Sequence, residues 1–348
     1  MATLETTPEK QASVPRFLYR QITYKPFVVK NTSLSGKTAI VTGSNTGVGF
    51  ETARQLVDLG LSRLILAVRD EAKGKAAAAK LSSAPDDDPS TPRVIEVWHL
   101  DLRDYASVVA FAERAKTLNR LDIALLNAGI CPAKRIFNDK TGHDETIQVN
   151  YLSTALLAIL LLPVAKAVRA NQPAPSRITF TLSEGAAWAK FNLGAETPIL
   201  AALDKKEDGV DTVDRMFVSK LLGQLFMHRL SKLVAPGRVA VINGASPGSV
   251  HDSEFNRDLD KTTAGAVIKT VMKRIANTAA VGARMMTDAA VNHGEDVHGQ
   301  FSSFQKVVPM APMIYTKDGE KVSEQLWKET LEELSFAHVE DILREVSN

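Results

Sequence analysis

The sequence predicts an α/β protein: a doubly wound parallel sheet forming one domain, preceded by an amino-terminal arm. Three observations carry this expectation. Short runs rich in β-branched and aliphatic residues, such as Thr38 to Thr42 (TAIVT) and Leu64 to Val68 (LILAV), alternate with longer helical patterns, the order that builds βαβ units. A glycine-rich stretch falls where the first strand gives way to the first helix. The early strands recur at even spacing, and no internal repeat interrupts them.

The elements follow in order. Residues 1–36 form the arm, polar and aromatic (Arg16 to Arg20 reads RFLYR, then Tyr24-Lys25-Pro26-Phe27), without the apolar run of a secretory signal. The domain spans 37–348. Its first strand, Thr38 to Thr42, leads into a helix over Val48 to Leu59; a second strand, Leu64 to Val68, leads into an alanine-rich helix over Asp70 to Leu81. Ser82 to Pro92 (SSAPDDDPSTP) has loop composition. Further strands are expected at Val94 to Trp98, Asp122 to Leu126, Arg177 to Thr181 and Val239 to Asn243, with the clearest helical pattern over Val213 to Leu233. The longest apolar run, Ala155 to Leu162, is expected to stop at Pro163. It is too short to span a bilayer, so it is read as a helix buried by the sheet or by a second subunit. Ala186 to Asp211 is an insertion, Ser249 to Thr263 a mobile polar segment, and Ser323 to Val346 an amphipathic helix or helix pair.

Composition narrows the class. At roughly 150 residues per domain, 348 residues allow two domains, but a sheet of this kind uses that length as one. Apolar residues at 45% and charged residues at 24% suit a soluble globular protein. The balance of 42 basic and 40 acidic residues, net +2, favours neither nucleic acid nor an anionic membrane. One cysteine, Cys131, excludes an internal disulfide framework and fits a reducing, cytoplasmic setting. The seven histidines show no metal-ligand spacing, so no metal is expected.

The chemistry begins at Thr42-Gly43-Ser44-Asn45-Thr46-Gly47-Val48-Gly49. Glycines here let the backbone N–H groups and a helix N-terminus approach a pyrophosphate. After the second strand, where an acidic residue would hold a ribose 2′-hydroxyl, stands Arg69; its planar fork suits a 2′-phosphate and points to NADP(H). Asp70, beside it, suits the N-cap of the next helix. Asp101 and Leu102 follow the third strand, where a carboxylate can accept from an adenine amine or serve as a loop cap.

These motifs resemble those of the short-chain dehydrogenase/reductase family, over nearly all the chain after residue 36. Thr42 to Gly49 is similar to its TGxxxGxG turn, and Leu126-Asn127-Ala128-Gly129 to its NNAG strand end with leucine first. Asn150, Ser183 and the Pro247-Gly248 turn fall at its catalytic and cofactor positions. The arm and the run Glu145 to Leu157 look similar to fungal, retinol-dehydrogenase-like members, many of which serve secondary-metabolite pathways. The resemblance implies a Rossmann-type fold, NADP(H), a small-molecule substrate, and a homodimer packed through Asp144–Val168 and Val213–Leu233.

One departure is decisive. The family's Tyr-x-x-x-Lys motif corresponds to Met216-Phe217-Val218-Ser219-Lys220, and no tyrosine occurs between Tyr151 and Tyr315. In the family the phenol gives a proton to the carbonyl oxygen, serine holds that oxygen, asparagine orders a relay water, and lysine also holds the nicotinamide ribose. A thioether has no proton to give, and losing a positioned acid costs about 10²–10⁴ in rate. Three readings remain: a reductase whose substrate needs no phenolic acid, such as an iminium; a non-redox cyclase, isomerase, dehydratase or aldol-type enzyme; and a non-catalytic NADP(H)-binding protein. Cys131 is expected as buried filler, Glu184 as a solvated or salt-bridged loop residue, Asp214 and Arg215 on an exposed helix face, and Trp188, Phe191, Met285 and Met286 as core. Asp252 stands where the family places a carboxamide-contacting threonine. The insertion and the 249–263 segment are expected to wall an apolar substrate pocket.

Overall fold

In the computed structural model, residues 5–82, 93–194, 196–207, 209–256 and 273–347 are described. Among the described residues, eight strands form one sheet: β1 (Thr38–Thr42), β2 (Arg63–Val68), β3 (Val94–His99), β4 (Ile123–Leu126), β5 (Ser176–Thr181), β6 (Ala240–Ser246), β7 (Phe301–Ser303) and β8 (Lys306–Val308). Their order is β3-β2-β1-β4-β5-β6-β7-β8. All neighbours are parallel except the β7–β8 pair. The reversal between β1 and β4 opens a crevice at the strands' carboxyl ends, where ligands bind in such sheets.

Inside the edge strands β3 and β8, both faces of the sheet are buried, and period-two alternation sorts the side chains. Ile40, Ile65, Ala124 and Ile178 face one layer with the helices Tyr105–Ala115, Ser153–Val168 and Thr212–Leu233. Ala39, Val41, Leu64, Leu66, Ile123 and Leu125 face the other, against Gly47–Asp58, Glu71–Ser82 and Ala279–Val291. Continuous apolar strands are what a sheet covered on both sides requires.

Several expectations need correction. The helix Ser153–Val168 runs through Pro163. Proline inside a helix costs about 3 kcal/mol, but packing of Leu156 to Leu162 before it and Val164, Ala165 and Val168 after it outweighs that. The combined helical stretch Glu145–Asn171 is long and apolar enough to cross a membrane, yet 83% of its most apolar window is buried inside the protein. The arm contains an amphipathic helix, Val14–Thr23. Strands β7 and β8 and the helix Ala279–Val291 are additions to the expected elements. Residues 83–92 of the expected loop lie outside the described residues, as do 257–263 of the polar segment. The described part of that segment is anchored: Val250 bridges Asn277, His251 N donates to Asn277 O, and Asp252 Oδ1 accepts from Ala279 N at 2.6 Å.

The faces expected to meet a second subunit are covered from within. Two carboxyl-terminal helices, Lys317–Glu333 and Val339–Ser347, lay Val322, Leu326, Val339, Leu343 and Val346 into the core that includes Leu156, Leu160 and Phe226. Trp327 stacks on Phe226 at 5.4 Å, and the Tyr151 hydroxyl bonds Thr330 Oγ1 at 2.6 Å. Packing through Ser153–Val168 and Thr212–Leu233 is therefore satisfied within the chain.

Candidate active site

Beyond β1 the chain turns through Gly43 to Thr46 into the helix Gly47–Asp58. Gly43 adopts φ +64, and a Cβ on Gly49 would lie 2.4 Å from both Asn127 Nδ2 and Gly43 O. Side chains at these positions are excluded, and the turn rests directly on the end of β4. Thr42 Oγ1 accepts from the backbone N of Asn127 and of Ala128, each at 2.9 Å. Asn127 Nδ2 donates to Thr42 O at 3.0 Å, and buried Ser44 donates to Val41 O at 2.8 Å. Asn45, Thr46 and Val48 remain partly exposed at the rim. The helix's first N–H groups lack intrahelical acceptors, and its positive dipole end favours a phosphate. These residues fit the dinucleotide that the sequence implies.

Arg69 stands exposed at the carboxyl end of β2. Asp70 caps the next helix, accepting from Lys73 N at 3.1 Å. Asp101 is engaged: Arg103 donates to it from Nη2 at 2.9 Å, from Nε at 3.2 Å and from backbone N at 3.0 Å. Burial opposes its charge, but these bonds and the nearby Arg103 and Arg69 charges hold its carboxyl below the usual range. The expected adenine acceptor is thus already paired, and the Leu102 side chain lies in the core.

The catalytic candidates converge on the ends of β4 and β5. A π-helical turn, Gln148–Leu152, carries Asn150; such turns recur at functional sites. Asn150 Oδ1 accepts from Ile130 N at 2.8 Å, while Nδ2 donates to Ile130 O and to Ser219 Oγ, both at 3.0 Å. Gly129, beside Ile130, would place a Cβ 3.1 Å from Asn150 Oδ1. Ser183 follows β5, its Oγ accepting from Gly185 N at 3.0 Å. Lys220 Nζ donates to Thr181 O at 2.8 Å, and burial brings its pKa down to about 8. Met216 stands four residues before Lys220 on the helix Thr212–Leu233, hence on the same face. A cavity of about 10 Å³ among Leu126, Asn150, Thr181 and Lys220 has room for about one water. Tyr151 also lines it, but burial raises its pKa and Thr330 holds its hydroxyl.

The structure brings residues to the site that the sequence reading missed. Arg20 Nη2 lies 2.5 Å from Glu184 Oε2, Gln11 Nε2 donates to the same oxygen at 2.8 Å, and Ser303 donates to Oε1. Burial raises the Glu184 pKa despite these partners; Glu184 is salt-bridged as expected, yet buried. Gln21 Oε1 accepts from Ser249 N at 2.9 Å, clamping the turn in which Gly248 takes φ +68 and follows Pro247. Phe217 presses on Gly185, where a Cβ would lie 2.4 Å from its ring, and meets Trp188 edge-on at 5.7 Å. Ser253 and Phe255 lie against Gly47 and Gly129; Cβ atoms built there would be 3.0 and 3.3 Å from them.

Among the other candidates, Cys131 is buried filler, its thiol pushed up by burial to about 11. Phe191, Met285 and Met286 are buried, and Trp188 is partly so. Asp214 accepts from Lys190 N at 2.8 Å. Arg215 corrects the exposed-face expectation: it is buried, its Nε 3.7 Å from Asp144, which also pairs with Arg135 at 2.8 Å. Those partners come from elements distant in sequence.

A doubly wound sheet with a glycine turn at a helix N-terminus, and asparagine, serine and lysine gathered at its strand ends, defines the Rossmann-type nucleotide-binding class. Comparison with known proteins sharpens this. Residues 37–186 match the short chain dehydrogenase family model. The chain is 43% identical over 346 residues to the short-chain dehydrogenase fogG of Aspergillus ruber, covering 98% of each. It is 39% identical to the short chain dehydrogenase/reductase mfmJ of Annulohypoxylon moriforme, over 94% of this chain and 93% of that one. The active-site complex of Pseudomonas aeruginosa RhlG with NADP shares the fold with a TM-score of 0.56 and 20% identity, over 79% of this chain and 98% of that one. The protein belongs to the short-chain dehydrogenase/reductase family.

Proposed function

We propose that the protein is an NADP(H)-dependent reductase for a bulky, largely apolar small molecule whose reduction needs no phenolic acid, such as an iminium. The observation that carries this reading is Met216, one helical turn before Lys220, while Asn150 and Ser183 remain in place. NADPH supplies the hydride. Addition to an iminium carbon leaves a neutral amine, so no alkoxide develops and no acid is required at position 216.

Each retained residue keeps a task under this reading. Gly43 to Gly49 would hold the pyrophosphate, Arg69 the 2′-phosphate, and Lys220 the nicotinamide ribose hydroxyls. Lys220, with its pKa lowered to about 8, is still mostly charged at neutral pH and is a strong donor. Asn127 to Gly129 and the Pro247-Gly248 turn would flank the nicotinamide. Ser183 Oγ would orient the substrate, with Trp188, Phe217 and the insertion as its apolar wall. The NADP complex of a protein with the same fold supports the cofactor assignment. The relatives are fungal short-chain dehydrogenases; under this reading the protein acts in the cytoplasm, in natural-product biosynthesis.

A second reading is non-redox catalysis on the same scaffold. The observation favouring it is that the groups able to position and polarise a substrate persist while the proton donor does not. Titration with NADPH, NADP⁺ and NADH, repeated with Arg69→Ala, tests the cofactor site. Selective NADPH binding that weakens several-fold in the variant supports it. Incubation with deuterated NADPH and candidate imines then separates the readings: label in the product supports reduction, and conversion without cofactor consumption overturns it.

A further inference from the structure

We propose that the outer face of the amino-terminal helix is a docking surface for an anionic lipid bilayer. The helix Val14–Thr23 is amphipathic in the unusual sense: its polar side chains Arg20 and Gln21 turn inward to Glu184 and Ser249, together with Phe17. Its solvent face carries Val14, Leu18 and Ile22, spaced by four residues as a helical stripe, with Tyr19 beside them. Tyr19 is 68% and Ile22 62% exposed. Past the helix, Phe27 and Val28 are also exposed.

Six of the twelve exposed large apolar side chains among the described residues fall in this one stretch of chain. Patches of that kind mark interaction sites. The face is also held rigidly. Gln305 grips the backbone of Phe27, accepting from its N at 2.8 Å and donating to its O at 3.1 Å. Arg284 Nη1 donates to Pro26 O at 3.0 Å.

Charge identifies the occupant. Between Glu9 and Glu51 the sequence has no acidic residue, but it has Lys10, Arg16, Arg20, Lys25, Lys30 and Lys37. Lys10, Arg16, Lys25 and Lys30 are exposed in the same stretch of chain. The net charge of +2 conceals this local excess. Exposed apolar and aromatic side chains interleaved in sequence with exposed cations and no acid match an interfacial surface on anionic lipid. A second copy is a poor occupant, because a two-fold contact apposes identical patches and would bring the cations of both copies together with no acid from this stretch.

The test uses the full chain, cosedimented with vesicles of phosphatidylcholine alone or with about 30 mol% phosphatidylserine, at low and high salt. The expected result is about tenfold more bound protein on the anionic vesicles, reversed by salt. Both Tyr19→Ser/Ile22→Ser and Lys25→Glu/Lys30→Glu should lose binding with an unchanged melting temperature. Equal or absent pelleting with the two vesicle types overturns the proposal, as does retained binding by folded variants. Sedimentation velocity without lipid covers the remaining occupant: a dimer abolished by Tyr19→Ser/Ile22→Ser would assign the face to a second copy instead.

Discussion

Arg20 of the amino-terminal helix ends 2.5 Å from Glu184, the residue that follows Ser183. The two are 164 residues apart in the chain, and their contact ties the arm to the segment that carries Ser183. The Glu184 side chain is only 3% exposed, so its charge depends on this partner. Arg20→Ala should cost about 3 kcal/mol by leaving a buried carboxylate without its cation, held only by Gln11 and Ser303. Thermal melting would register it, and adding Glu184→Gln should recover part of the loss. An unchanged melting temperature for Arg20→Ala would refute the role.

Met216→Tyr restores a phenol one turn from Lys220. If position 216 sits where the family's proton donor acts, the variant should gain NADPH-dependent ketone reduction, within the 10²–10⁴ range that a positioned acid contributes, roughly. A broad carbonyl panel followed by NADPH absorbance checks this. A folded, NADPH-binding variant that reduces nothing on the panel would contradict the placement.

His143 ties the insertion to the carboxyl-terminal helix, with Nδ1 2.6 Å from Asp204 and Nε2 3.1 Å from Glu333. Burial works against its charge, but the two carboxylates outweigh that and raise its pKa to about 9. A histidine whose folded pKa exceeds the unfolded value of about 6.5 adds stability below that value and loses it as pH rises through about 9. The wild-type protein should therefore lose up to about 3 kcal/mol across this window, and His143→Gln should flatten the dependence. Denaturant melts at pH 6 and pH 9 compare the two.

Phe255 lies over Gly129 and Ser253 over Gly47, the floor a dinucleotide would use. Phe255→Ala should relieve that contact and tighten NADPH binding several-fold in a fluorescence titration. Weaker binding would mean that the ring supports the nucleotide rather than competing with it.

The six strands expected from sequence appear within a few residues of their places: all but the edge strand β3 are runs buried on nearly every residue, and β3 is marked by its β-branched residues instead. Strands β7 and β8 have three residues each, too few for any period to register. Pro163 misleads because its helix-breaking effect is local, whereas the packing that carries the helix through it is tertiary. The glycine turn was legible because backbone geometry demands residues without a Cβ there, whereas Asn127, Asn150, Ser183 and Lys220 stood out only through the resemblance of their motifs to a known family. Arg20, Gln21 and buried Arg215 were not, since only long-range folding decides which carboxylate or carbonyl each meets.

The carboxyl-terminal helices cover Ser153–Val168 and Thr212–Leu233 with residues of the same chain. Because the cover is tethered, its effective concentration is set by chain geometry and not by how much protein is present. Dilution cannot strip it. The helix that bears Met216 and Lys220 therefore keeps its backing at any abundance, and specific activity should hold constant across a dilution series.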